Sequence, residues 1–167
     1  MKNKEDINKN KYLTFRLANE IYALTIDNAQ SVMEKQKVKR LPKTPDFIEG
    51  IINLRGQAVP IINLHKRFNL EKQADTVNTS IIILEVKPDE LNKQIILGII
   101  VDAVKEVVEI SGENIEALPD FGASIDTKFI NGMGKINKDD DQFIIILNAE
   151  KLFSAKEMDV ISESSEN

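Results

Sequence analysis

The sequence predicts a mainly β protein of short strands that close into small barrels, with a helix near its C-terminus. Three observations carry this. Isoleucine and valine dominate the apolar runs, while aromatic residues make up 5% of the chain and tryptophan is absent; β-branched side chains suit pleated, buried strands. Turn residues punctuate those runs at close spacing, as in small closed barrels, which leave few strand edges open. The third is an internal repeat. "IEGIINLRGQAVPIINLHKRF" and "INGMGKINKDDDQFIIILNAEKLF" each open on Ile-x-Gly, pass a polar turn, enter an isoleucine-rich strand and close on a basic residue and Phe (Phe68, Phe153).

The elements follow in order. Residues 1–10 and 162–167 lack apolar periodicity and read as flexible tails. "YLTFRLANEIYALTI" (12–26) alternates apolar and polar residues on both sides of Ala18-Asn19-Glu20, a hairpin pattern. Residues 27–35 space Ala29, Val32 and Met33 as a short helix or turn would, behind Asp27. "LPKTPDFIEG" (41–50) has the signature of one helical turn, with Thr44 as cap, Pro45 at the first helical position and Gly50 as stop. Two strands follow, 50–54 and 58–64, joined by Arg55-Gly56-Gln57. Pro60 has no N–H to donate, so its strand requires an edge or a bulge at that point.

Strands are then expected at 80–86, 94–104 and 105–110, with a turn at Lys87-Pro88-Asp89, and a loop over 111–124. Residues 128–136 and 142–148 read as strands flanking an acidic turn, and 149–161 as a helix capped by Asn148. Gly98 and Gly132-Met133-Gly134 lie inside strand patterns, where glycine marks a bulge or a close backbone approach.

Composition excludes several function classes. With 167 residues, 42% of them hydrophobic and 29% charged, the chain is of ordinary globular composition for one domain or two small ones sharing a core. A net charge of −5 argues against nonspecific nucleic-acid binding, which draws on a basic face. Without cysteine there is no disulfide, thiol nucleophile or thiolate site. The N-terminus has no apolar stretch of signal-peptide or span length, so a cytoplasmic protein without direct membrane insertion is expected.

Catalytic motifs are equally scarce. His65 is the sole histidine, so no two-histidine metal site can be built, and no nucleophile elbow, HExxH or phosphate-cradling glycine loop occurs. Asp139-Asp140-Asp141 lacks the spacing of a calcium loop and reads as a solvated turn. Asp102, after an apolar run, reads as a strand-end carboxylate accepting backbone hydrogen bonds. No catalytic residue, metal or cofactor is implied. Arg55 then needs an account. It is either a solvated turn residue or an interface anchor, a role for which the planar guanidinium is well suited. The bare backbone of Gly56 beside it allows close approach.

Five blocks, in order, carry a family resemblance: "YLTFRLANEIYALTI", "TPDFIEGIINLRGQAVPIINL", "LGIIVDAVKEV", "LPDF" and "FINGMGKI…FIIILNAEKLF". With these the chain resembles the CheW family, adaptors of bacterial chemotaxis that couple receptors to the histidine kinase CheA. The resemblance covers about residues 11–160. It implies two five-stranded SH3-like β-barrels sharing a core, with halves near 20–80 and 81–147 and the first strand exchanged between them. It implies no enzymatic activity. The partners would be the CheA regulatory domain and the cytoplasmic tip of methyl-accepting chemoreceptors, bound by a chain monomeric on its own. By this resemblance the receptor groove would use Ala29, Ser31 and Val32, then Asn53, Leu54, Arg55 and Gly56, then Gly98, Val101 and Asp102. Many members carry a glutamate where this chain has Ser31, an acid that would pair with the arginine of the Asn-Leu-Arg-Gly turn; here Glu34 lies close by in sequence. Two other readings stay open: an adaptor of another kinase pathway, and a regulator binding a small molecule between the barrels.

Overall fold

The computed structural model describes residues 10–71, 74–88, 92–118, 127–137, 139, 141–154 and 157. Among these residues eleven strands form two sheets. The first sheet holds β3 (Ala29–Glu34), β6 (Ser80–Val86), β7 (Ile95–Val101), β5 (Gln57–Asn63) and β4 (Ile48–Leu54), in that spatial order. The second runs β8 (Ala103–Glu109), β1 (Lys11–Leu17), β2 (Glu20–Thr25), β11 (Ile144–Leu147), β10 (Ile130–Gly134) and the two-residue β9 (Ile115–Glu116). One sheet therefore has five strands and the other six. The expected halves at 20–80 and 81–147 do not follow the sheets. One continuous stretch, 29–101, builds the first sheet, and its flanks 11–25 and 103–147 meet to build the second. Both strands of the opening hairpin join the C-terminal strands, with β2 parallel to β11.

The apolar runs are continuous, not alternating, because both faces of several strands are buried. In β6, Ile81 and Ile83 belong to one cluster with Ile52, Val59, Ile61 and Ile100, which fills the first barrel. Ile82 and Leu84, pointing the other way, join a large cluster with Leu13, Phe15, Leu17, Leu24, Leu97, Ile99 and Phe153 that lies between the sheets. A third cluster, around Tyr12, Ala23, Ile110, Ile144 and Ile146, serves the second sheet. Three clusters, the middle one shared, are what two barrels with a common core require. Gly98 sits on the barrel side of β7, where a Cβ would lie 2.6 Å from Ile61 Cδ1. The close approach expected there is one of packed side chains.

The first barrel closes by a single bridge. Lys39 N–H donates to the Ile51 carbonyl at 2.9 Å, and Ile51 N–H to the Lys39 carbonyl at 2.8 Å. Gly50 makes this possible: its φ is +147°, and a Cβ would fall 2.1 Å from the Lys39 carbonyl oxygen. Because Ile51 spends both backbone groups on Lys39, its partner Pro60 occupies a non-hydrogen-bonded pair of the β4–β5 ladder. On its other side β5 pairs with β7 only from Ile61 onward. Pro60 thus stands where its strand is locally an edge, as its missing donor demands.

Some elements differ from expectation. Residues 29–34 form an edge strand, not a helix or turn, because Ser31, Val32 and Met33 pair in register with Ile83, Ile82 and Ile81. Residues 41–47 form turns without a helix; Thr44 Oγ1 donates to the Leu41 carbonyl instead of capping, and Gly50 lies within β4. A four-residue helix, α1 (Leu64–Arg67), follows β5, capped by Asn63 Oδ1, which accepts from Lys66 N–H at 3.1 Å. Asn148 caps a 3-10 turn at Ala149–Lys151 in place of the start of the helix expected to 161, and residues 155–156 and 158–161 of that helix lie outside the described residues. So do residues 1–9 and 162–167 of the tails, "PDF" of the fourth block, and Asp140; Asp139 and Asp141 are exposed. The register of β10 against β11 shifts between Ile130 and Gly132, the bulge expected beside the glycines.

Arg67, at the end of α1, fastens the two sheets and the C-terminal segment together. Its guanidinium lies 4.0 Å from the Phe47 ring centroid and 4.7 Å from that of Phe129, and makes two 2.8 Å hydrogen bonds to Glu157. Burial opposes ionisation of Glu157, but the Ser154 N–H and the Arg67 guanidinium outweigh it and hold its carboxyl below its ordinary value of 4.5. A carboxylate whose pKa is lowered by folding stabilises above its unfolded value and stops doing so as pH falls through the folded one. The contribution of Glu157 is therefore expected in full at pH 7, waning below about pH 4.5. Arg67→Ala removes the cation from a mostly buried pair and from two aromatic faces. We expect it to cost about 2–3 kcal/mol in urea unfolding at pH 7, less than removing a partner from a fully buried pair. The deficit should shrink in melts run below pH 4.

Candidate docking surface

The β4–β5 hairpin turns on two residues, Arg55 (φ +53°) and Gly56 (φ +83°), with Leu54 opposite Gln57. Positive φ at both central positions defines a type I′ turn, whose twist suits paired strands and which favours Asn-Gly. Arginine in the left-handed region carries strain of about 1–2 kcal/mol. The turn is braced by Asn53 Oδ1, which accepts from Gly56 N–H at 2.8 Å. Arg55 is exposed and forms no ion pair with Glu34 or any other described acid. Asn53 and Gly56 are exposed beside it, and Leu54 is half-buried.

Ser31 and Val32 are exposed on edge strand β3, Val32 by 47%, and Ala29 is half-buried near its start. The hairpin faces residues 36–39, which continue the chain from β3, across an open cleft of about 390 Å³. Gly98, Val101 and Asp102 are buried, Val101 completely. They are interior residues, so of the expected set those open to a partner directly are on β3 and the hairpin.

Asp102 has a structural task that sequence alone does not reveal. It is the single residue between β7 of the first sheet and β8 of the second. Its Oδ2 accepts the Ala18 N–H at 2.7 Å and faces His65 Nε2 at 2.9 Å, while its own N–H donates to the Arg16 carbonyl at 3.0 Å. His65 and Asp102 are 5% and 6% exposed. One carboxylate thus joins the β1–β2 turn, helix α1 and the crossing between sheets. The expected backbone acceptor role holds, and the histidine is the unforeseen member. Thirty-seven positions separate the pair, and no local pattern links them. The imidazole is buried in this contact.

Among the described residues no three His, Asp or Glu side chains gather as a metal ion would need, and no helix is long and apolar enough to cross a membrane. Twin barrels around a shared core, presenting an exposed and strained hairpin tip, define a small β scaffold of the docking type. A family model described as "CheW-like domain" matches residues 11–157. The chain belongs to the CheW family. It is 34% identical over 151 residues to the chemotaxis protein CheW of Klebsiella aerogenes, covering 90% of this chain and 86% of that one. It is 33% identical over 150 residues to CheW of Treponema pallidum, covering 87% and 83%. The crystal structure of the scaffolding protein TtCheW from Thermoanaerobacter tengcongensis superposes with a TM-score of 0.75 at 40% identity, covering 89% of this chain and 90% of that one.

The joint at Asp102 is testable. Asp102→Ala strands the half-buried Ala18 N–H and the buried His65 imidazole, at an expected cost of about 2–4 kcal/mol in urea unfolding. Combining it with His65→Ala should cost less than the sum of the two, since they share one contact. Additive losses would show that the pair does not act as a unit.

Proposed function

We propose that this chain is a non-enzymatic chemotaxis scaffold that couples transmembrane chemoreceptors to the histidine kinase CheA in the cytoplasm. Family membership supports the role, as do relatives named chemotaxis proteins and a structural neighbour named a scaffolding protein. The receptor tip would be met by Ser31 and Val32 on β3 and by the Asn53–Gly56 hairpin, while Gly98, Val101 and Asp102, being buried, would act only through the packing of β7. The regulatory domain of CheA would bind elsewhere on the barrels, and the chain alone would be a monomer.

The observation that carries this reading is Arg55. A large cation stands in a left-handed turn position, exposed and unpaired, where asparagine would sit at lower cost. Strain kept at an exposed tip points to a use for the side chain. Arg55→Asn is expected to hold or raise stability by up to about 1 kcal/mol, while weakening capture of a chemoreceptor cytoplasmic fragment at least tenfold. Arg55→Glu should weaken it further, with unchanged circular dichroism. Titration calorimetry against the CheA regulatory domain from the same organism should show saturable binding in all three proteins. Loss of fold in either variant would make Arg55 structural, and unaltered receptor capture would remove the anchor. Absence of kinase binding by the folded wild type would refute the coupling role.

A further inference from the structure

The seam that closes the first barrel stops after one bridge, and the space beyond it is open. Extending the Lys39–Ile51 pairing antiparallel would set Lys37 opposite Asn53. Instead the cleft of about 390 Å³ lies there, lined by Gln36, Lys37, Lys39, Asn53, Gly56 and Ala58 among others. Asn53 is two residues from Ile51 on the same strand, and Ile51 directs its N–H and carbonyl away from β5 to Lys39. By the two-residue period, Asn53 directs its N–H and carbonyl the same way, into the cleft. This is an unpaired strand edge of the kind that accepts an added strand.

The charge around it has one sign. Five cations and no acid occur between positions 35 and 45, in a chain of net charge −5. Lys35 is taken up by Asp75. Lys37, Lys39 and Arg40 are exposed, and none pairs with an acid among the described residues. No acidic residue lines the cleft. Lysines beside an open edge discourage pairing with a second copy of the same chain. The same charges favour a strand of opposite sign and speed its approach.

We propose that this cleft is a docking site for an extended, carboxylate-rich protein segment, which adds a strand along Asn53 while its acids face Lys37, Lys39 and Arg40. The site draws on no part of the receptor or kinase reading, but it shares Asn53 and Gly56 with the proposed receptor face, so the two occupants would compete there. Fluorescence anisotropy of a labelled octapeptide alternating valine and glutamate, on the full chain, is the test. Expected are saturable binding, weakening at least tenfold from 50 to 500 mM NaCl, and a similar loss in the Lys37→Glu/Lys39→Glu double variant with unchanged circular dichroism. The same peptide N-methylated at alternate residues keeps its charges but cannot pair as a strand, and should also bind at least tenfold more weakly to the wild type. Equal binding of the methylated peptide would overturn the strand edge, and equal binding of a valine–lysine peptide would overturn the charge selection. Binding to anionic phosphatidylglycerol vesicles without binding the acidic peptide would assign the lysines to a membrane surface and overturn the proposal.

Discussion

The fold depends on one crossing. Between Val101 and Ala103 the chain passes from one sheet to the other, and Asp102 is all that separates them. A strand pair cannot continue across that step, so its polar groups must be satisfied locally or lost. They are satisfied by parts of both sheets: the Arg16 carbonyl and Ala18 N–H of the opening hairpin, and the His65 imidazole of α1. A buried carboxylate is costly unless it is fully engaged. That cost makes the relative placement of the sheets specific in a way that apolar packing alone does not, since isoleucine against isoleucine tolerates sliding.

The apolar seam around this joint is held by geometry of another kind. Phe15, Tyr22, Phe68 and Phe129 form a chain of ring contacts, with centroids 5.4–6.1 Å apart, that runs from the second sheet to the end of α1 and back. Arg67 lies between the Phe47 and Phe129 rings and binds Glu157. Charged group and rings together make a rigid block at the end of β5, whose other end is the Arg55 hairpin. A scaffold has no reaction to accelerate. Its contribution to an assembly is to lose little freedom when its partners bind, and well-packed strands joined to such a block serve that.

Strands with a buried face were legible in the sequence because burial writes itself into composition. The hairpin at 12–26, the run at 80–86 and the paired strands around Arg55 all appeared with boundaries close to those observed, whereas the run expected as one strand over 94–104 breaks at Asp102, and Ala103 and Val104 open β8 in the other sheet. Residues 27–35 misled because an exposed edge strand has no buried face to impose alternation; Val32 and Met33 then mimic helical spacing. The pattern at 41–50 misled because the Thr-Pro and Gly signals that mark a helix also serve a turn followed by a strand, and Gly50 answers to the Lys39 carbonyl, eleven residues away. The division of strands between sheets was invisible for the same reason: it is decided by pairings such as β2 with β11, far apart in the chain. In the candidate site, the Arg55 turn was legible and the burial of Gly98, Val101 and Asp102 was not. A run such as "LGIIVD" shows that a strand is apolar but not whether any part of it reaches the surface.

The hairpin and the seam beside it share one origin. Closing a small sheet on itself requires its first and last strands to meet, and twist limits how far they run together. Here they meet at one pair, Lys39 and Ile51, and diverge on the side toward the hairpin tip. Divergence frees the tip from the barrel wall and leaves Asn53 with unpaired backbone. Evolution had two ways to handle such an edge, to cover it or to charge it, and this chain carries Lys37, Lys39 and Arg40 there. A charged edge stays soluble without being sealed. The barrel therefore retains, next to its strained arginine tip, backbone groups that a partner of the right sign can reach, and closure and docking are two consequences of the same incomplete seam.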